Sequence, residues 1–409
     1  MIKTAESGRR GPDVRSDCWI RITLADDGGV QLNVNSKIKV MYGSAVENLA
    51  KQGLAQLGIR HASVEIDDNG ALPFVIMARL ECAARRLKTN QTGEWLPEFR
   101  DSCQGATARE RFRRSRLYLP GNEPKFMLNA GLHKPDGIIL DLEDSVAPSE
   151  KDAARLLVRN ALRQVDFYGA ERMVRINQIP HGIEDLAYIV PHNVHVVLIP
   201  KCESAEQVKL VDDEIQKIFT QRRLKKTIFL MPIVESALGA IRAYEIASAS
   251  PNVVALTIGL EDYTADIGTQ RTLEGKESFW ARSQVINAAR AAGVQPIDTV
   301  FSDVQDMQGL RDSVLEAKAL GFDGKGCIHP RQIPVIHDAF APDETEIEKA
   351  KKIVLAFEKA EAQGLGVVSL GSKMIDPPVV KRALRTIKLA GDSGKLEPNW
   401  RQGGEHNEK

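Results

Sequence analysis

One alternation constrains this chain more than any other feature. Between residues 117 and 330, short runs rich in Val, Ile and Leu take turns with stretches of helical spacing. The pattern predicts strands at 117–120, 137–144, 172–177, 195–201, 228–235, 253–262, 294–300 and 324–330. Helical patterns lie between them at 151–165, 205–219, 237–248, 279–292 and 306–320. Near-continuous apolar runs point to parallel strands covered on both faces. Eight of them in succession suit a closed (β/α)8 TIM barrel of the α/β class. The competing fold, an open doubly wound sheet, would carry G-x-G-x-x-G after its first strand, and no such motif is present.

At 409 residues the chain exceeds one ordinary domain. Residues 1–87 read as a small N-terminal α+β domain. Within it, 18–24 alternates as a strand, Asp27-Gly28-Gly29 supplies a turn, and 30–34 alternates back as a hairpin. Helical spacing follows at 44–57 and 74–87, with a short strand at 62–66. Residues 88–112 are polar, lack periodicity and read as a linker. The barrel takes 113–340, a C-terminal helical segment 341–390, and a flexible Gly-, Glu- and Asn-rich tail 391–409.

Basic and acidic residues both total 55, so the net charge is zero, which argues against nucleic acid or an anionic membrane as the main partner. The five cysteines (Cys18, Cys82, Cys103, Cys202, Cys327) form no C-x-x-C pair and fit free thiols in a reducing compartment. Residues 1–12 lack the apolar core of a signal peptide, and no stretch reaches the length of a membrane span. A cytoplasmic protein is expected.

The polar residues fall in a telling place. The run at 138–140 leads into Asp141, Glu143 and Asp144; 173–174 into Arg175 and Asn177; 196–199 into Lys201 and Glu203. Likewise 229–234 ends at Glu235, 255–260 at Glu261 and Asp262, and Ile328 precedes His329. One charged strand end is ordinarily a solvated loop, but in a (β/α)8 barrel such ends converge on one face, where catalytic residues meet. Glu235 and Asp262, from consecutive strands, offer two hard oxygen ligands with room for water and substrate, the way magnesium is usually held. No His-rich or Cys-rich set suits zinc, and His192 and His195 are read as surface residues. Arg175 brings a permanent charge suited to a developing enolate or a substrate carboxylate.

These motifs resemble the citrate lyase β-subunit and malyl-CoA lyase family of HpcH/HpaI aldolase-like proteins. The matching stretches are Arg114-Ser-Arg-Leu-Tyr-Leu-Pro-Gly121, Ile139-Leu-Asp-Leu-Glu-Asp-Ser-Val146, Val174-Arg-Ile-Asn177, Ile199-Pro-Lys-Cys-Glu203, Ile233-Val-Glu-Ser-Ala-Leu-Gly239, Gly259-Leu-Glu-Asp-Tyr263 and Gly324-Lys-Gly-Cys-Ile-His-Pro330. The resemblance implies a magnesium-dependent carbon–carbon lyase that cleaves a 3-hydroxyacyl thioester into an acetyl thioester and a 2-oxo acid. It implies Glu235 and Asp262 as metal ligands, and Arg175 as the group that anchors substrate and stabilises the enolate. Glu143, with Asp144, either holds metal-bound water or orients Arg175, a structural ion pair being the alternative. Arg116, Asn177 and Lys201 are implied in substrate or cofactor binding. In this family a Gly-Ser-x-Met-Ile-Asp-x-Pro segment closes over a neighbouring subunit's site, and here it reads Gly371-Ser-Lys-Met-Ile-Asp-Pro-Pro378. The resemblance implies Asp376 as an acid/base supplied in trans within a homo-oligomer, a trimer or its multiple. By residue type alone, Asp376 equally suits an N-cap for a helix at 379–389.

The N-terminal segment resembles the acyl-carrier subunit of citrate lyase through Ile20-Arg-Ile22, Ser36-Lys-Ile38, Asp68-Asn-Gly-Ala-Leu72 and Ala78-Arg-Leu-Glu81. Carrier and lyase would then be fused, holding the thioester at high effective concentration. Ser7 and Ser16 are the two candidate attachment points for a phosphopantetheine-type group: Ser7 has the carrier's neighbours at a different distance, Ser16 nearly its register. A carrier-like domain that only aids assembly is the alternative. The implied partners are a small acyl thioester and a citrate lyase α-type subunit. The rival functions are a lyase for free malyl-CoA, β-methylmalyl-CoA or citramalyl-CoA, a CoA-independent pyruvate aldolase, and a non-catalytic scaffold subunit.

Overall fold

The computed structural model describes residues 3–87, 93–364, 366–370 and 373–401. Its centre is a closed barrel of eight parallel strands: β5 (Ser115–Pro120), β6 (Gly137–Asp141), β7 (Glu171–Arg175), β8 (Val196–Ile199), β9 (Phe229–Val234), β10 (Ala255–Ile258), β11 (Gln295–Asp298) and β12 (Gly324–Cys327). The barrel closes by pairing β12 with β5, Gly326 opposite Arg116. Its interior holds Ile139, Met173, Val196, Leu198, Met231 and Ile233, all buried. The (β/α)8 expectation is correct.

The strands are shorter than the apolar runs suggested, and the difference matters for the site. The charged residues at 143, 144, 201 and 235 follow the last ladder pair and sit in βα loops. Asp262 is not a strand end: helix Leu260–Asp266 begins directly after β10, and Glu261 and Asp262 occupy its first turn. Acidic side chains there complement the helix dipole.

The N-terminal sheet corrects the expected hairpin. Strands β1 (Thr4–Gly8), β2 (Cys18–Leu24), β3 (Val30–Ser36) and β4 (Ala62–Asp68) lie in the order β1-β2-β4-β3. Strand β4 inserts between β2 and β3, antiparallel to one and parallel to the other. The cause is helix Lys39–Gln56, which links β3 to β4 as a parallel crossover. Ala62, Val64 and Ile66 bury one face of β4, so it takes the centre. Strand β1 was not expected, since its five residues carry no apolar alternation.

Residues 93–112 are no loose linker. Cys103 is buried, and Arg172 donates to the Ser102 and Cys103 carbonyls at 3.0 and 2.9 Å. His195 Nε2 lies 2.8 Å from the Gly105 carbonyl, and Arg113 pairs with Glu171 at 2.7 Å, both fully buried. Residues 88–92 of the expected linker lie outside the described residues. His192 and His195, expected at the surface, are buried, and burial pushes their pKa values down to about 3 and about 4.

Helix Pro73–Arg86 fastens the N-terminal sheet to barrel helix Lys151–Gln164. Glu81 and Arg159 pair at 2.6 Å with both side chains at 0% exposure, and Asn160 Nδ2 donates to the Phe74 carbonyl at 3.0 Å. Arg79 pairs with Asp17 at 2.8 Å and donates to the Asn122 carbonyl, in the loop after β5, at 3.0 Å. Residues 1–333 accordingly form one compact unit and 334–409 a second. In the second unit, helices Glu344–Glu361 and Pro377–Asp392 bury Ala350, Ile353 and Val354 against Val380 and Ala383. The expected flexible tail begins inside this structure, since Trp400 packs on the same cluster; residues 402–409 lie outside the described residues.

Candidate active site

A cavity of about 250 Å3 opens at the C-terminal mouth of the barrel. Arg175, the last residue of β7, reaches across to the end of β6. Its Nε and Nη2 donate to the two Asp141 oxygens at 2.7 Å each, a bidentate clamp. Its Nη1 stands 2.8 Å from Glu143 Oε2, charge against charge but off the hydrogen-bonding direction. Gln178 donates to the other Glu143 oxygen at 3.0 Å. The Tyr118 ring lies 5.4 Å from the guanidinium, inside cation–π range. The two carboxylates outweigh the cost of burying Arg175 and hold its pKa above the ordinary arginine value. Burial holds Glu143 above the usual carboxylate range, against the pull of Arg175.

Glu235, the residue after β9, is 6% exposed. Its Oε2 accepts from the Lys201 backbone N–H at 2.9 Å. Burial pushes its pKa up to about 7; Lys201 N–H and Arg175 oppose the shift, and Asp262 and Glu143 add to it. Its place depends on Gly259: a Cβ there would stand 2.4 Å from Glu235 Oε1. Lys201, left-handed at φ 45°, aims its ammonium at Asp262, Glu143 and Asp144 at 3.3, 3.6 and 3.6 Å. Among the described residues no set of three His, Cys, Asp or Glu side chains forms a complete metal cage. The donor set is all oxygen, and a pair of carboxylates leaving positions for water and substrate fits magnesium.

The pattern of the HpcH/HpaI aldolase/citrate lyase family matches residues 114–330, over half of the chain. The chain belongs to that family. It is 42% identical over 283 residues to the citrate lyase subunit beta of Haemophilus influenzae, covering 68% of this chain and 97% of that protein. The human mitochondrial citramalyl-CoA lyase is 33% identical over 68% of this chain and 85% of its own length. Among solved structures, CitE of Mycobacterium tuberculosis in complex with magnesium, acetoacetate and coenzyme A aligns at a TM-score of 0.59 and 30% identity. That alignment covers 69% of this chain and all of CitE. The malonate decarboxylase delta subunit pattern, an acyl-carrier type, matches residues 10–87. These relatives are carbon–carbon lyases or subunits of one, and this chain is a lyase of the same class.

Within this citrate lyase-type barrel, Arg175, Glu143, Glu235, Asp262 and Lys201 meet at one mouth. Arg116 lies deeper in the same cavity, 1% exposed. Asn177 points elsewhere: its amide donates to Asp185 at 2.9 Å, and Asp185 in turn holds Arg155. Asp376 lies in the second unit and caps helix Pro377–Asp392, accepting from the Val379 N–H at 3.1 Å. Gly371 and Ser372 of its motif lie outside the described residues. Ser7 is 2% exposed inside β1, its side chain facing the Cys82 thiol, so as folded it offers no attachment point. Ser16 is half-buried in a loop, next to the Asp17 that Arg79 grips. Sequence reasoning missed three contributors. Asp141 and Gly259 stood in quoted motifs, but the clamp and the close approach become visible only in space. Tyr118 stood in such a motif too, on its strand, with nothing to show that its ring would face the Arg175 guanidinium.

Proposed function

We propose that this chain cleaves a citryl-type 3-hydroxyacyl thioester by retro-Claisen chemistry, giving an acetyl thioester and a 2-oxo acid. The observation that carries the reading is the buried Glu235 carboxylate, given room by Gly259, in the cavity that also holds the clamped Arg175. Glu235 and Asp262 would hold magnesium, which supplies Lewis-acid polarisation and a template for the carboxylate and hydroxyl oxygens of the departing oxo acid.

The chain's own side chains account for the rest. Asp141 and Glu143 fix the Arg175 guanidinium in one orientation, so its N–H groups are preorganised for the negative charge that develops on the thioester enolate. As the hydroxyl proton leaves, the carbon–carbon bond breaks and its electron pair passes into the thioester, where Arg175 meets it. Asp376, the proposed acid/base supplied from a neighbouring copy in a trimer or its multiple, takes the hydroxyl proton and returns a proton to the enolate carbon, which gives the acetyl thioester. A second cavity of about 600 Å3, sharing Leu260, Glu261, Asp298 and Thr299 with the first, offers room for a long thioester substrate.

Delivery of that thioester has two readings. In one, a phosphopantetheine-type arm on Ser16 carries it, in a complex with a citrate lyase α-type subunit. In the other, the substrate is a free CoA thioester (malyl-, β-methylmalyl- or citramalyl-CoA among the rivals) and the N-terminal domain carries nothing. The burial of Ser7 and the buried Glu81–Arg159 fastening favour the second. A cytoplasmic location suits the five buried, unbridged thiols, and no described helix is long and apolar enough to cross a membrane. A panel of citryl, malyl, β-methylmalyl and citramalyl thioesters, assayed with and without magnesium, tests the chemistry. Turnover independent of magnesium, or of any thioester, would sink it. Intact mass of the protein from its native host tests the arm on Ser16.

A further inference from the structure

Arg116 occupies a place where an arginine is costly. It stands on β5, inside the barrel, with its side chain 1% exposed. Its Nη1 faces the Met231 sulfur at 3.1 Å. Its Nη2 lies 3.2 Å from the Thr257 hydroxyl and 3.4 Å from the Asp298 carbonyl. Its Nε is buried and has no hydrogen-bond partner. Among the described residues no carboxylate pairs with it: Asp298, the nearest candidate, gives its side-chain oxygens to Lys325 at 2.7 Å and Arg282 at 3.1 Å. The three other arginines at 0–1% exposure each have an acidic partner: Arg79 with Asp17, Arg113 with Glu171, Arg159 with Glu81. Burial without a counter-charge lowers the Arg116 pKa, yet a guanidinium stays charged in a protein. Among the described residues Arg172 also lacks a paired acid and has an unpartnered Nε, but both its Nη groups are taken up by the Ser102 and Cys103 carbonyls, far from the cavity. Arg116 differs in lining the cavity, where a ligand can supply what the fold does not.

The cavity shows where that ligand lies. Arg116 lines the same 250 Å3 space as Arg175, Glu235 and Asp262. Thr257, which Arg116 reaches, pairs with Ile233 in the barrel ladder, two residues before Glu235. The Arg116 guanidinium therefore lies beneath Glu235 as a positive floor, and Arg175 stands at the rim.

We propose that Arg116 is a specificity-determining residue that receives a second carboxylate on the oxo-acid half of the substrate. The deduction rests on the lyase reading above and narrows it: the departing 2-oxo acid is dicarboxylic, as oxaloacetate is, rather than pyruvate or glyoxylate. One carboxylate of that half remains for magnesium, and the other enters the floor. A methyl group in its place would leave the guanidinium buried and unmatched.

The test is titration of the full-length protein, in magnesium, with oxaloacetate and with pyruvate, for the wild type, Arg116→Met and Arg116→Lys. The wild type is expected to prefer oxaloacetate. Arg116→Met should weaken oxaloacetate about 10- to 100-fold, the worth of a hydrogen bond to a charged group, and leave pyruvate within about twofold. Arg116→Lys should keep part of the preference. Arg116→Met should also melt at a higher temperature, having lost an unpaired buried charge. A wild type that binds pyruvate as well as or better than oxaloacetate, or binds neither, overturns the assignment. So does an Arg116→Met variant that loses both acids equally. The two readings fail separately. Citryl thioester turnover with a citryl-to-citramalyl preference unchanged in Arg116→Met sinks the Arg116 role alone. No thioester turnover, with the oxaloacetate preference lost in Arg116→Met, sinks the lyase reading alone.

Discussion

Glu235 is a carboxylate placed where its own charge is disfavoured, and that gives it a measurable signature. Its folded pKa, about 7, lies above the ordinary 4.5 because burial penalises the anion. A raised carboxylate pKa means the folded state holds its proton longer than the unfolded chain does. Stability is therefore fully present below pH 4.5 on this account and is lost as pH rises through 7, by on the order of 3 kcal/mol. Magnesium-free protein should melt at a lower temperature at pH 8 than at pH 5.5, and Glu235→Gln should flatten that dependence. Added magnesium should restore the wild type at pH 8 and not the variant. Gly259→Ala tests the same carboxylate sterically. The new Cβ displaces it, and lyase turnover should fall roughly 100-fold, the usual penalty for about 1 Å of misplacement. Unchanged kinetics would show that Glu235 needs no such room. At this scale the acidic and basic types at strand ends were legible, because a charge beside an apolar run stands out. Asp141 as the clamp of Arg175 was not, since one charged loop residue looks like its neighbours.

Elements follow the same division. Helix Pro73–Arg86 was legible from its spacing, but not that its Glu81 would be sealed against Arg159 on helix Lys151–Gln164. Arg159→Ala leaves buried Glu81 with Arg85 as its one charged partner, beside the Trp95 N–H, and should cost about 3 kcal/mol, read as a lower urea midpoint. The Glu81→Leu/Arg159→Leu pair should recover most of the loss; a single variant as stable as wild type would mean the pair is not a fastening. The segment at 93–112 adds a pH dependence of opposite sign to that of Glu235. His195 is held neutral, its pKa lowered to about 4 by burial, so it contributes stability above pH 6.5 that is lost as pH falls toward 4. His195→Gln should blunt acid unfolding in that window, followed by circular dichroism. The hairpin expectation failed here for a physical reason: the turn at Asp27-Gly28-Gly29 is local, whereas the choice of β4 as neighbour is made by a crossover helix and the apolar face of a strand far along the chain.

For the molecule as a whole, residues 1–333 form one compact unit, with the carrier-like domain fastened to the barrel through Glu81–Arg159 and Arg79–Asn122. All five native cysteines are buried, so a dye on Ser63→Cys, at an exposed position of β4, labels the N-terminal sheet selectively. Its anisotropy should decay with the slow correlation time of the entire unit; a fast component proper to a domain of 87 residues would show free swinging instead. Seen at this scale, residue order alone determined the alternation of strand and helix, hence the barrel, and the placing of Arg175, Glu235 and Asp262 near one end of it. These are periodic or local properties, written in neighbouring side chains. Tertiary structure alone decided that Ser7 is sealed, that β4 divides the expected hairpin, that Glu235 resists ionisation and that Arg116 lacks a counter-charge. Burial and pairing are set by groups distant in the chain, and they exist only once the barrel has closed.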